Sequence, residues 1–296
     1  MSGVARFGAV ITAMVTPFDG EGALDLDAAA QLARWLAEHG SDGLVVAGTT
    51  GEGSTLTDDE KLDLWRATAE AVAIPVIVNT GSNDTAHSVH LTRQAAALGA
   101  AGVLAVTPYY NRPSQAGIEA HFRAIAAATD LPILLYDIPV RTGRKISNDV
   151  MVRLAREVPN MAGVKDAAND VASSARLAAA VPGSFEVYSG NDDQTLPLLA
   201  VGAVGVVSVA AHWIGLEMAE MIAAFAKGDV ASAREINARL LESYVFETGD
   251  DAPNPLPSKA MMRTLGLPVG ECRLPMGVAP DGLEDRAREV YARLHG

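Results

Sequence analysis

The sequence predicts an α/β protein built as a (β/α)8 barrel, also called a TIM barrel, with a C-terminal helical extension. Eight short apolar, β-branched runs alternate with eight longer segments of helical periodicity. The strands are apolar throughout, which is typical of a parallel sheet covered by helices on both faces. No glycine-rich dinucleotide-binding motif follows the first strand. Eight such units within ~225 residues favour a closed barrel over an open, doubly wound sheet.

The first predicted strand needs an argument of its own, because Arg6 and the apolar run 8–15 loosely resemble a signal peptide. The run is short and β-branched, and it stops at Thr16 and Pro17 without a convincing small-residue cleavage site. We therefore interpret it as a buried strand. The predicted strands are 9–15, 43–47, 76–80, 103–107, 133–136, 162–165, 186–189 and 204–209.

The segments between these strands are rich in alanine and show helical spacing of apolar residues. The rest of the chain reads as helices broken by Pro253, Pro255, Pro257 and the stretch 266–270. We expect a catalytic barrel over 1–229 and a helical appendix over 230–296 packed on it, without a low-complexity linker. The predicted barrel helices are 26–38, 58–72, 85–98, 115–127, 148–157, 171–180, 194–201 and 218–226.

The composition argues against several kinds of binding partner and site. The 296 residues are 49% hydrophobic and 20% charged, which is typical of a globular protein with a large core. The net charge of −13 argues against nucleic-acid or membrane-surface binding, and no apolar stretch reaches the ~18 residues of a membrane span. The single cysteine, Cys272, excludes an intrachain disulfide and suggests a reducing, cytoplasmic location. The six histidines show no metal-ligand spacing, so we expect no metal site.

The residue that stands out is Lys165, at the end of an apolar strand. In such barrels the active site lies at the C-terminal ends of the strands. A lysine inside the barrel would lose hydration of its ammonium group, and the neutral amine could then attack a carbonyl carbon to form an imine. The alternative is a lysine whose head lies in water or pairs with Asp166. The strand alone leaves both interpretations open.

The run that follows the second strand is rich in glycine and threonine: Gly48-Thr49-Thr50-Gly51-Glu52-Gly53. Its backbone N–H groups could converge on a carboxylate, and its two hydroxyls could relay protons. The alternative is a plain tight turn before a helix that Thr57 or Asp58 caps.

Three of the six tyrosines follow adjacent strands: Tyr109 and Tyr110 after the fourth, and Tyr136 at the end of the fifth. A phenol can both donate and accept a proton. Arg141, shortly after Tyr136, carries a guanidinium suited to a substrate carboxylate. The alternative is that the aromatic rings only pack between strand ends.

Taken together, these motifs resemble the superfamily of dihydrodipicolinate synthase and N-acetylneuraminate lyase, which are class I aldolases. The resemblance spans nearly the whole chain and is closest to the dihydrodipicolinate synthase family, because Arg141 lies in a Tyr-x-x-Pro-x-Arg-Thr-Gly run that sialic-acid lyases usually lack. The matching segments are 48–52, 107–113, 136–143, 163–167, 189–192, 253–259 and 273–276.

The resemblance implies a condensation of pyruvate with L-aspartate-4-semialdehyde, without a cofactor, on the way to diaminopimelate and lysine. By matching position, Lys165 forms the imine and Tyr136 moves protons. Thr49 links Tyr136 to Tyr110, which in relatives reaches in from a neighbouring subunit. Thr50 and backbone groups of the same turn hold the pyruvate carboxylate.

The resemblance also implies that Arg141 receives the carboxylate of the semialdehyde, and that Gly190 and Val207 line the pocket. The partners it implies are the two small-molecule substrates and further copies of the chain, in a homotetramer built as a dimer of dimers. Two alternatives stay open: another pyruvate-dependent aldolase, such as a sialic-acid or 2-keto-3-deoxy-sugar-acid lyase, and a non-catalytic barrel that binds a keto acid.

Three positions depart from the lysine-inhibited relatives. Gly53, Lys61 and His87 stand where those relatives tend to have serine, histidine and glutamate. Lys61 would repel the ammonium of a lysine effector, and His87 cannot replace a carboxylate. We therefore expect weak or absent feedback inhibition by lysine.

Overall fold

The computed structural model describes residues 5–296 and has eight parallel strands closed into a barrel. Each strand pairs with its neighbour in chain order, and β8 pairs with β1. The predicted (β/α)8 architecture is therefore confirmed. The strands are β1 (Val10–Ala13), β2 (Gly43–Val46), β3 (Val76–Asn79), β4 (Gly102–Val106), β5 (Ile133–Asp137), β6 (Met161–Asp166), β7 (Glu186–Ser189) and β8 (Gly205–Ser208).

Helices follow the strands and cover the outside of the barrel. Most of them begin where the sequence supplies a capping side chain, since Asp, Ser and Thr accept a hydrogen bond from the first turn; Asp25, Thr57 and Ser147 are examples. The helices of the barrel are α1 (Leu26–Glu38), α2 (Asp58–Ala71), α3 (Thr85–Ala97), α4 (Gln115–Ala126), α5 (Pro139–Thr142), α6 (Asn148–Glu157), α7 (Val171–Ala180), α8 (Thr195–Leu199) and α9 (Ala211–Ala226).

The C-terminal segment adds three helices: α10 (Val230–Phe246), α11 (Leu256–Thr264) and α12 (Leu283–His295). They pack on the barrel and on one another, and α10 lies against α9. The predicted prolines act as expected: Pro255 lies at the cap of α11, and Pro257 lies in its first turn, where a missing N–H does no harm.

Two apolar clusters follow from the strand pattern. The smaller one fills the inside of the barrel and takes inward side chains such as Ile11, Val45 and Val207 from successive strands. The larger one lies between the strands and the surrounding helices. Because both faces of every strand are buried, the strands carry apolar residues throughout. An inward polar side chain is therefore an exception.

The structure differs from the prediction in three places. The helix predicted over 218–226 begins earlier, at Ala211, with a non-helical Ile214 near its start. The helix predicted over 194–201 is the shorter α8, preceded by a 3-10 turn over Asp192–Gln194. The one-turn helix α5 is not predicted, because four residues that include Pro139 carry no periodic signal. In residues 5–296, no helix combines the length and apolar character needed to cross a bilayer.

Candidate active site

Lys165 points into the barrel. In a parallel ladder, residues in register on neighbouring strands share a face. Lys165 is in register with Tyr136 on β5 and with Tyr188 on β7, and both tyrosines belong to the inner apolar cluster. Its Nζ lies 4.5 Å from the centre of the Tyr136 ring. The side chain is 95% buried, since its exposed fraction is 5%.

Asp166 does not neutralise this lysine. It follows Lys165 in the strand and so faces the other side of the sheet, where its Oδ2 accepts a hydrogen bond from Ser174 at 2.6 Å. Its Oδ1 accepts a hydrogen bond from the backbone N–H of Ala168. Within residues 5–296, Lys165 forms no ion pair with a carboxylate. The pairing with Asp166 that the strand left open is therefore wrong.

A cavity of about 540 Å³ opens beside Tyr136 at the C-terminal ends of the strands. Thr49 and Arg141 also line it, so the structure brings three of the predicted site residues to one cavity. An open depression of about 890 Å³ lies at the other end of the barrel, against Arg6 and Ser184, which precede strands. It is remote from the buried lysine, and chemistry in such barrels takes place at the C-terminal ends.

The turn after β2 is conformationally strained. Ala47 and Glu52 both have positive φ, at 55° and 51°, a region that residues other than glycine rarely adopt. A Cβ on Gly53 would overlap with the carbonyl oxygen of Ala47, so only glycine fits there. Such strain persists only where the surrounding structure enforces it, and it is concentrated at functional sites.

Part of this turn is free to bind an anion. The N–H of Glu52 and that of Gly53 donate to carbonyl groups of the same turn. Among residues 5–296, the N–H groups of Thr49, Thr50 and Gly51 have no hydrogen-bond acceptor. The plain-turn alternative also holds in part, because Thr57 forms a capping box at the start of α2. The turn can therefore cap a helix and still present N–H groups to a carboxylate.

Asn254 contacts this turn, and the sequence analysis missed it. Its Nδ2 donates a hydrogen bond of 3.0 Å to the hydroxyl oxygen of Thr50, 204 residues away in the chain. Since the oxygen of Thr50 already accepts this bond, its own O–H is free to donate to a ligand. The sequence signals at this position were a polar residue between Pro253 and Pro255 and its place in the matching segment 253–259.

Glu52 fixes the turn from its other end. Its Oε1 lies 2.8 Å from the Nζ of Lys259 in α11, and both side chains are almost fully buried. Its Oε2 accepts a hydrogen bond of 2.8 Å from the backbone N–H of Arg273. Burial lowers the pKa of Lys259, and the Glu52 carboxylate partly offsets that effect. The C-terminal extension thus holds the turn after β2 in place.

Tyr110 lies outside the cavity of its own chain. It is 90% exposed, with a φ of 69°, whereas the neighbouring Tyr109 is 37% exposed and lines the cavity. No hydrogen bond within residues 5–296 joins Tyr110 to Thr49 or to Tyr136. The relay that the resemblance implies, from Tyr136 through Thr49 to Tyr110, is therefore not formed within residues 5–296 of one chain.

The remaining predicted residues lie at the ends of β7 and β8. Gly190 donates its N–H to the carbonyl oxygen of Asp166 at 2.7 Å. A Cβ at this position would lie 2.8 Å from the Cβ of Ala167, so the close approach of the two strand ends requires glycine. Val207 is fully buried in the inner apolar cluster. Neither residue lines the 540 Å³ cavity itself.

The outer part of the cavity carries three interacting side chains. Asp58 lies between Lys61, at 3.6 Å, and the Nε2 of His87, at 2.9 Å. Burial raises the pKa of Asp58, but the hydrogen bond from His87 and the charge of Lys61 outweigh it, so the pKa is lowered overall. Its carboxylate is therefore already engaged by two neighbours. No group of three or more His, Cys, Asp or Glu side chains in residues 5–296 could hold a metal ion.

The chain is similar over nearly its whole length to proteins of one family. The model of the dihydrodipicolinate synthetase (DHDPS) family matches residues 6–291. The chain belongs to the DHDPS family. The family resemblance predicted from the strand-end motifs is thus confirmed.

Relatives within the DHDPS family cover almost the full chain. A protein of Moorella thermoacetica named 4-hydroxy-tetrahydrodipicolinate synthase is 50% identical over 273 residues, covering 92% of both chains. A crystal structure of DHDPS from Cyanidioschyzon merolae with lysine bound has a TM-score of 0.95 and 43% identity, and the match covers 98% of this chain and 99% of that one. The chloride-inhibited DHDPS of Acinetobacter baumannii, complexed with pyruvate, has a TM-score of 0.92 and 36% identity, with 98% and 99% covered.

Proposed function

We propose that this DHDPS family member is a 4-hydroxy-tetrahydrodipicolinate synthase, a class I lyase that condenses pyruvate with L-aspartate-4-semialdehyde through an imine on Lys165. The observation that carries the proposal is a lysine buried inside the barrel, in register with Tyr136 and without a carboxylate partner in residues 5–296. An amine that no carboxylate holds in an ion pair is available to attack a carbonyl carbon. The name of the Moorella thermoacetica relative supports the substrate assignment.

In the first half of the reaction, the Lys165 amine attacks the keto carbon of pyruvate, and the tetrahedral adduct loses water to give a protonated imine. Tyr136 is close enough to the amine to move the protons that these steps require. The protonated imine is an electron sink. Loss of a proton from its methyl group therefore gives an enamine, and the enamine carbon attacks the aldehyde carbon of the second substrate.

The alkoxide formed in that attack takes up a proton. The amino group of the former semialdehyde then attacks the imine carbon, which closes a ring and releases Lys165 as a free amine. The carbon–nitrogen bond made at Lys165 is thus broken again within the cycle, its N–H bonds are restored, and the protein's own side chains supply the proton transfers. No redox step occurs in this sequence of reactions.

Two substrates that each carry a carboxylate have to enter a protein of net charge −13. Thr50 can donate its hydroxyl and backbone N–H groups of the same turn can donate to the pyruvate carboxylate. Arg141 at the cavity wall suits the carboxylate of the semialdehyde, because a guanidinium binds a carboxylate with two parallel hydrogen bonds. We assign Gly190 and Val207 to the pocket wall near the bound pyruvate.

The proposed proton relay requires more than one chain. Thr49 is assigned to link Tyr136 with Tyr110, and the Tyr110 of the same chain is 90% exposed. We infer that Tyr110 enters the cavity of a neighbouring subunit in a homotetramer arranged as a dimer of dimers. We also infer a cytoplasmic location, which suits the lone, buried Cys272 and a role in lysine and diaminopimelate biosynthesis.

The test is turnover by the purified protein. With pyruvate and L-aspartate-4-semialdehyde, the wild type should form the product, and Lys165→Ala should reduce the rate to background while retaining the folded state. With pyruvate and N-acetylmannosamine no turnover is expected, because Arg141 is suited to a carboxylate rather than to a polyhydroxylated chain. Turnover of N-acetylmannosamine in preference to the semialdehyde would refute the substrate assignment and favour the sialic-acid lyase alternative.

A further inference from the structure

A buried carboxylate ties together the two strand ends that follow the site lysine. Asp192 lies in the turn after β7, two residues beyond Gly190, and its exposed fraction is 1%. Its Oδ2 accepts hydrogen bonds from the backbone N–H groups of Val209, at 2.9 Å, and of Ala210, at 3.0 Å. These two residues follow β8 directly. A single side chain thus fixes the end of β7 to the end of β8.

A second carboxyl group reaches the same place from the C-terminal extension. Glu247 caps the C-terminal end of α10, a helix that packs against the turn Asp192–Gln194, and its carboxyl group lies beside that of Asp192. The Oδ1 of Asp192 and the Oε2 of Glu247 are both buried, and neither has a hydrogen-bond donor within residues 5–296. Two ionised carboxylates side by side in a dry interior repel each other strongly. One proton between them would satisfy both oxygens.

The groups around the pair do not supply a compensating positive charge. Asp193 is a further carboxylate in the same turn, and the phenol of Tyr244 in α10 is neutral, since burial and the nearby carboxylates raise its pKa. His212 in α9 also faces Asp192, and burial lowers its pKa to about 4, so it is uncharged at neutral pH. Burial and the charge of Asp192 raise the pKa of Glu247 well above its usual value.

The hydrogen bonds of His212 are also those of a neutral imidazole. Its Nε2 accepts a hydrogen bond from the backbone N–H of Val15 at 3.1 Å, and its Nδ1 lies 2.7 Å from the carbonyl oxygen of Val209. An imidazole that accepts at one nitrogen and donates at the other carries one proton. A proton on the carboxyl pair is therefore the remaining way to reduce its charge.

We propose that Asp192 and Glu247 share one proton, and that this acid pair is a positioning device that holds the ends of β7 and β8, with Gly190 and Val207, in their catalytic arrangement. Neither carboxyl group lines the 540 Å³ cavity. The structural part of the proposal stands on the contacts of Asp192, and only its catalytic consequence depends on the proposed function.

The first test is Glu247→Gln. A glutamine amide donates a hydrogen bond to Asp192 without needing a proton, so this variant should match the wild-type melting temperature at about pH 5, near the unfolded-state pKa of a glutamate. In the wild type, the pKa of Glu247 is higher in the folded than in the unfolded state, so its contribution to stability is complete at acid pH and is lost as the pH rises through the folded-state value. At about pH 9 the wild type should therefore melt roughly 2–4 °C below Glu247→Gln.

The matched control is Glu235→Gln, which removes one charge from an exposed position on the same helix. It should leave the pH dependence of the wild type unchanged. If Glu235→Gln gives the same alkaline gain as Glu247→Gln, or if Glu247→Gln gives none, the shared proton is refuted. A melting temperature that instead depends on added mono- or divalent cations, and loses that dependence in Glu247→Gln, would identify a bound cation and overturn the proposal.

The second test separates positioning from mere stability. In Asp192→Ala, the N–H groups of Val209 and Ala210 lose their acceptor, and we expect kcat to fall on the order of 10²-fold, since small misplacements at an active site have effects of this size. Asp192→Asn keeps an oxygen acceptor for both N–H groups and should retain kcat to within about threefold. Folding of each variant is checked at the assay temperature. A folded Asp192→Ala with wild-type kcat would rule out the positioning role while leaving the proposed function intact.

Discussion

Two parts of the active-site region are held in place by different means. Lys165 and Tyr136 lie on adjacent strands, and the backbone ladder of the barrel alone fixes their relative position. The turn after β2, which carries Thr50, is instead held by side chains from the C-terminal extension, through Asn254 and through the pairing of Glu52 with Lys259. The reacting group thus depends on local strand geometry, whereas the anion-binding turn depends on contacts between distant parts of the chain.

This difference predicts different consequences of mutation. A change at the strand-borne pair should affect the chemical step and leave folding intact, because the barrel does not need those polar atoms. A change in the extension should affect stability or pyruvate binding and leave the chemical step alone. The following variants test the contrast, from the largest expected effect to the smallest.

Tyr136→Phe should have the largest effect on turnover. The ring beneath Lys165 remains, but the hydroxyl that moves protons is lost, and general acid–base groups contribute about 10²–10⁴-fold. We expect kcat to fall by that factor while the melting temperature stays within about 2 °C. Tyr188→Phe is the matched control, because Tyr188 is in register with Lys165 on the other side and its hydroxyl donates to Glu186. A loss of less than tenfold in Tyr136→Phe would contradict the role.

Lys259→Met tests the turn after β2, which the C-terminal extension holds in place. It leaves the Glu52 carboxylate buried without its counter-ion, which typically costs about 3–5 kcal/mol of unfolding free energy. Denaturant titration measures the loss, and Lys227→Met, an exposed lysine, should stay within about 0.5 kcal/mol of the wild type. Adding Glu52→Gln to Lys259→Met should recover part of the loss. An equal loss in the double variant would show that Glu52 and Lys259 do not act as a pair.

Asn254→Ala should have a smaller and more specific effect. Thr50 loses the donor that orients its hydroxyl, and a neutral hydrogen bond is worth about 0.5–1.5 kcal/mol, so the KM for pyruvate should rise roughly 2- to 12-fold. We expect little change in kcat, because Lys165 and Tyr136 keep their places. Thr50→Ser, which retains the hydroxyl, serves as the control. A fall in kcat with an unchanged KM would show instead that Asn254 acts on the chemical step, as Lys165 and Tyr136 do.

The strand-borne part of the site could be predicted from the sequence, whereas the contacts of the extension could not. All eight strands were predicted to within two residues at each end, and Lys165 and Tyr136 stand out because a polar side chain at the end of an apolar run is conspicuous. The contacts of Asn254 and Lys259 could not be predicted, since nothing local shows that residues about two hundred positions apart meet. The 90% exposure of Tyr110 could not be predicted either, because the sequence does not distinguish an exposed tyrosine in a loop from a buried one.

Lysine feedback should show the smallest effect of all. Lys61 and His87 both engage Asp58 at the outer part of the cavity, so a lysine effector meets a like charge there and the Asp58 carboxylate is already occupied. Initial rates at sub-millimolar lysine should stay within about 20% of the uninhibited rate, on the reasoning that like charges disfavour binding. Lys61→His combined with His87→Glu, the residues that the resemblance implies for lysine-inhibited relatives, should increase sensitivity. Strong inhibition of the wild type would show that these positions do not decide feedback.

The most direct measurement is reductive trapping of the imine. The protein is incubated with pyruvate and borohydride, and the adduct is located by mass spectrometry of its peptides. The account predicts one pyruvate-derived adduct per chain, on Lys165, absent from Lys165→Ala and formed more slowly in Tyr136→Phe. A protein that stays unmodified, or that carries the adduct on another lysine such as Lys61 or Lys259, would contradict it.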